Sequence, residues 1–169
     1  MGYELKLSPL AGFVSCLFDL WNNFEAKREK SAFYYKNVLQ LIEHPYFEIL
    51  NPEKKQIIQL KTAITSKNKI YVPLSFIITF FDNKQVITAL FNTESQDLGF
   101  NTNKILLVLQ QLKNNLQNQA VENLDKSLQI EFIYHYTLVF RKIGKIIAQN
   151  PLLKSCSLKL SKQLVNQLV

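Results

Sequence analysis

Residues 33–47, FYYKNVLQLIEHPYF, constrain the fold more than any other stretch, because an apolar helical run there meets a hard stop. Val38, Leu39, Leu41 and Ile42 form a buried stripe, and Phe33, Tyr34 and Tyr35 bring bulk into it. Pro45 has no amide hydrogen and pushes His44 out of the α region, so the helix has to end there. The chain then turns at once into Tyr46 and Phe47. A helix this apolar needs cover on both flanks, which predicts docked helices before and after it.

The rest of the chain can supply that cover. Its 169 residues, 47% of them hydrophobic, suffice for one ordinary domain with a real core, and we expect a single helical domain over residues 1–169. Four glycines and five prolines leave few tight hairpin turns, which disfavours a sandwich or barrel. The expected class is mainly α: an irregular bundle of about six to eight helices with at most one or two short strands. No apolar run approaches the roughly 20 residues that span a bilayer, and the start lacks a signal-peptide pattern. Cys16 and Cys156 lack a CxxC spacing and read as reduced thiols, so a cytoplasmic location without membrane contact is expected.

Taken in order, Tyr3 to Leu7 alternates and reads as extended, after which Ser8 and Pro9 open a helix carrying Phe13, Leu17, Leu20, Trp21 and Phe24. The polar run from Asn22 to Lys30 reads as a connector. Beyond the central helix, Asn51 and Pro52 start another, with Ile57, Leu60 and Ile64 inward, ending near Ser66. Lys67 to Val72 reads as a second short strand before Pro73, which can open a helix through Phe76, Ile77, Phe80 and Phe81. Asp82 and Asn83 mark a turn, and 93–100 a loop. Asn101 or Thr102 caps a helix through Ile105, Leu109, Leu112 and Leu116; a second long helix runs from Leu124 to Asn150 and Pro151, and a closing one starts near Ser157.

Catalytic constellations are thin. His44 precedes Pro45 and reads as a helix-terminal cap; no phosphate-binding glycine loop, dinucleotide fingerprint, HExxH or GxSxG is present. Glu131 and His135 are four apart on one helical face, so an acid–base pair with Tyr136 is geometrically allowed, although a hydrogen-bonded aromatic neighbour is the simpler role for His135. The tyrosines and phenylalanines could stack on bases, but a helical core absorbs most of them. No catalytic residue, metal site or cofactor is expected.

Charge is distributed unevenly. Residues 1–133 hold 14 Lys and Arg against 13 Asp and Glu, whereas 134–169 hold Arg141, Lys142, Lys145, Lys154, Lys159 and Lys162 and no acid. A basic end on a neutral body suits phosphate contact, and it also suits a merely solvated helix face. Phe140 and Ile143 claim the inner side, which turns Arg141, Lys142 and Lys145 outward. A hairpin across Asn150 and Pro151 would add the remaining lysines to the same patch.

Two stretches carry a resemblance. MGYELKLSPLAGFVSCLFDLW resembles the N-x-T-M-G-Y-P-L opening and following helix of AddB-like helicase-nuclease proteins of the Bacteroidetes, which often carry a PD-(D/E)XK nuclease domain. FYYKNVLQLIEHPYF resembles their next helix, with its tyrosine and lysine, leucine-rich turn and final His-Pro. The likeness covers residues 1–75 well and the remainder loosely; Glu4 departs from the family's usual proline. It implies a noncatalytic helical accessory subdomain, inserted in the second motor domain of a DNA double-strand-end-processing enzyme of recombination repair, with Met1 an internal methionine. No ATP-binding or nuclease motif is present to carry over. The implied partners are the rest of the parent chain or its partner subunit, and DNA backbone; the alternative is a free-standing helical adaptor for another protein.

Overall fold

The apolar stretch 33–47 divides between two kinds of structure. In the computed structural model, which describes residues 5–27, 30–50, 53–67, 69–82, 84–91, 98–119, 124–150, 152–153 and 162–163, Phe33 and Tyr34 end a strand and the helix begins only at Tyr35. The expected connector is a hairpin: β1 (Phe24–Lys27) pairs antiparallel with β2 (Lys30–Tyr34), and β2 pairs with β3 (Tyr71–Pro73), giving the order β1-β2-β3. Phe24 to Lys27 alternates apolar and polar residues, and cross-strand pairing of Phe24 with Phe33 outweighs the charged composition of the turn. The class is mainly α as expected; among the described residues the hairpin brings the strands to three, beyond the one or two expected.

The helices follow α1 (Pro9–Asn22), α2 (Tyr35–Ile42), α3 (Pro45–Leu50), α4 (Lys54–Ser66), α5 (Leu74–Ile77), α6 (Lys84–Phe91), α7 (Leu98–Gln117) and α8 (Leu124–Gln149). Leu5–Leu7 is a short 3-10 turn rather than extended chain; residues 1–4 lie outside the described set, as do Asn51, Pro52 and nearly all of the expected closing helix. Ser8 caps α1 as its sequence predicts, its Oγ accepting from the Ala11 amide at 3.2 Å and donating to the Leu5 carbonyl at 2.6 Å. Pro45 both stops α2 and opens α3, so Tyr46 and Phe47 lie in a helix and are buried there. The run after Pro73 gives one turn of α-helix and then a 3-10 turn, Ile78–Phe80, where β-branched Ile77, Ile78 and Thr79 resist a longer helix.

Two compact units emerge, Cys16–Thr93 and the combination of Met1–Ser15 with Glu94–Val169. In the first, α2 buries Asn37, Val38, Leu41 and Ile42 and contacts α3 and α4 as well as β2 and β3, so the sheet supplies cover expected from a helix. Phe33 is fully buried and meets Phe91 edge-on at 5.3 Å, while Trp21 donates from Nε1 to the Leu90 carbonyl at 2.8 Å. In the second unit α7 and α8 pack along each other. Gly144 lies beside Thr102, and the Lys126 ammonium reaches the Gln119 carbonyl at 2.8 Å, so the two helices run antiparallel. Helix α7 starts earlier than its sequence suggests: Leu98 to Phe100 are helical, and Asn101 and Thr102 are buried inside the helix instead of capping it.

Candidate nucleic-acid interface

Helix α8 sorts its residues by side. Phe132, Ile133, Tyr136, Phe140, Ile143 and Ile147 are buried at three- and four-residue steps, which leaves Glu131, Tyr134, Leu138, Arg141, Lys142 and Lys145 exposed. Arg141 and Lys145 are one turn apart and Lys142 is three residues before Lys145, so the three cations occupy one neighbourhood of the outer surface. None of the three forms an ion pair among the described residues.

The other basic positions stand differently. Lys162 is half-buried and has an interaction of its own, and Lys154 and Lys159 lie outside the described residues. The structure therefore brings together three of the six expected contacts. Helix α8 closes after Gln149 with the Asn150 amide donating to the Ile146 and Ile147 carbonyls, just past the basic turn.

The residues weighed for acid–base chemistry part company. His135 Nε2 is 3.8 Å from Glu131 Oε1 on the open surface. Tyr136, one residue on, is 2% exposed; burial pushes its hydroxyl up to about 12, against which a hydrogen bond with Ser8 works. It cannot face the same substrate as His135. His44 has the expected local role, its Nδ1 accepting from the Tyr46 amide at 3.3 Å, and burial lowers its affinity for a proton. Among the described residues no three His, Cys, Asp or Glu side chains come together as metal ligands would, and no helix is long and apolar enough to cross a membrane.

The Cys16–Thr93 unit carries a feature that the helical periodicities conceal. Tyr34 and Tyr71 are register partners on neighbouring strands, their rings 6.1 Å apart, and Tyr34 meets Tyr35 edge-on at 5.2 Å. Tyr34, Tyr71, Asn22, Asn23 and Phe24 line a hollow of about 440 Å³. A neighbouring one of about 400 Å³ is lined by Tyr35, Ile64, Thr65, Lys69 and Ile70, with the Lys69 ammonium 4.0 Å from the centre of the Phe76 ring. Comparison with protein-family models, with curated proteins and with solved structures gave no match to this chain.

Proposed function

We propose that the chain is a noncatalytic helical accessory unit of a DNA-end-processing helicase-nuclease in recombination repair, touching DNA backbone or a partner subunit through α8. The observation that carries the reading is the exposed trio Arg141, Lys142 and Lys145, without an ion pair among the described residues, on one neighbourhood of the outer face of α8. Its context is the resemblance of residues 1–75 to AddB-like proteins. Phosphate contact by such a trio is independent of sequence and weakens as salt rises, because each neutralised phosphate releases condensed counterions.

Duplex binding of the wild type and of the triple variant Arg141→Glu, Lys142→Glu, Lys145→Glu, measured at several salt concentrations, tests this. The variant should bind more weakly, and its log-log salt slope should fall by roughly 0.9 for each phosphate that the protein no longer neutralises. Equal, weak binding by both proteins at low salt removes DNA contact and leaves the α8 surface for protein. That second reading, an adaptor, draws support from Tyr134 and Leu138, which are 54% and 43% exposed beside the cations.

A further inference from the structure

The hollow between the end of α1 and the sheet has the makings of a site for a planar, uncharged, hydrogen-bonding ring. Its walls are aromatic: Tyr34 and Tyr71 stand tilted at 56° to each other, and Tyr71 is 39% exposed. Phe24 borders the hollow where β1 begins, while its ring packs on Phe33 at 5.1 Å on the other face of the sheet, which anchors that border in the core. The rim is amide. Asn22 and Asn23, just before β1, line the hollow together with the register partners Tyr34 and Tyr71, so two amides border the two tyrosines. Neither Asn22 nor Asn23 makes a side-chain hydrogen bond among the described residues.

The local field selects among ligands. Asn22 ends α1 and the Asn23 amide closes its last turn on the Asp19 carbonyl at 3.2 Å, so the hollow adjoins the carbonyl end of a helix. Unpaired carbonyls and the negative end of the helix dipole disfavour an anion and favour ring N–H and amino groups. A phosphate is therefore a poor occupant. A nucleobase suits it: one face can lie on the Tyr71 ring, and its edge offers donors and acceptors that an asparagine amide can match.

We infer that Tyr71, the more exposed ring of the pair, stacks a base of single-stranded nucleic acid, with Tyr34 beside it and Asn22 and Asn23 toward the base's edge. The inference rests on the nucleic-acid reading of the chain, but it uses other residues in the other unit. It would give an end-processing protein a grip on unpaired bases distinct from its grip on phosphates.

The test measures fluorescence anisotropy of labelled 12-nucleotide single strands, a matching abasic strand and a hairpin duplex. The proteins compared are the 169-residue wild type, Tyr71→Ala, Tyr71→Phe, Asn23→Asp and the α8 triple variant. Removing one stacking partner should weaken binding of the base-bearing strand roughly 5- to 150-fold in Tyr71→Ala and leave the duplex unchanged. Tyr71→Phe should keep its affinity, and exposed Asn23→Asp should lose it even if Tyr71→Ala proves poorly folded. Wild-type affinity in folded Tyr71→Ala or in Asn23→Asp, or equal binding of base-bearing and abasic strands, overturns the inference. Failure of the α8 triple variant to weaken duplex binding sinks the phosphate reading instead, and does so without touching the tyrosine result.

Discussion

Replacing Gly144 by alanine should make the protein more stable. Gly144 lies inside α8, six residues short of Asn150, where a glycine is about 1 kcal/mol less favourable than alanine because its unfolded chain has more freedom to lose. Whether that gain survives depends on space, since α7 packs alongside. Among the described residues a Cβ added at Gly144 meets only the Thr102 methyl, at 3.8 Å, an ordinary van der Waals separation. The new methyl is half covered, adding a few tenths of a kcal/mol from apolar burial. The sum, about 1 to 1.5 kcal/mol, corresponds to roughly 2 to 6 °C in Tm for a chain of this size. Thermal unfolding followed by far-ultraviolet circular dichroism reads the shift, and a raised urea midpoint at unchanged slope confirms that stability itself has changed. Gly144→Val serves as the contrast, because its branch pushes further toward Thr102 and its helix propensity is lower. A Tm equal to or below that of wild type in Gly144→Ala would refute the reasoning: α7 and α8 would then approach more closely than this geometry allows.

Two further outcomes follow from buried polar groups. Tyr136 holds its proton to about pH 12 in the folded protein and to about 10 when unfolded, so its contribution is complete below pH 10 and is lost as pH rises toward 12. Between pH 9 and 11 the urea midpoint should fall by the equivalent of about 1.3 kcal/mol more in wild type than in Tyr136→Phe, and parallel pH profiles would count against it. Trp21→Phe deletes the donor to the Leu90 carbonyl inside the Cys16–Thr93 unit. It should destabilise by about 1 to 3 kcal/mol from the orphaned acceptor, with a further loss from the smaller ring, and a measured loss under about 0.5 kcal/mol would show that the carbonyl finds another partner.

What the sequence made legible is what periodicity can carry. The inward set of α8 is spelled out at three- and four-residue steps, and its outward cations follow from it. The stop at Pro45 and the Ser8 cap are equally local, each written in a few neighbouring residues. Pairing across distance was not legible. The β1–β2 hairpin lacks an Asn-Gly or Asp-Gly turn, and its charged KREK run reads as a connector, although Phe24-Glu25-Ala26-Lys27 does alternate. Asn101 and Thr102 have the composition of a cap but are buried within α7, where Thr102 stands beside Gly144, a neighbour more than forty residues away. The tyrosine hollow was hidden for the same reason: nothing near Tyr34 announces that Tyr71 will be its partner.

The pairing of Tyr34 with Tyr71 has a kinetic side. Residues 35–70 must be gathered before these two strands can meet, and closing a loop of that length carries an entropic barrier that the α2 and α4 contacts offset. Strand β3 has three residues and, among the described residues, pairs only with β2, so its hydrogen bonding depends on that distant partner. The aromatic hollow is consequently a product of the whole unit's assembly rather than of any one segment. Its occupant would bind the closed loop alone, pull that equilibrium toward closure, and so act as a fastener on a fold whose ends lie far apart along the chain.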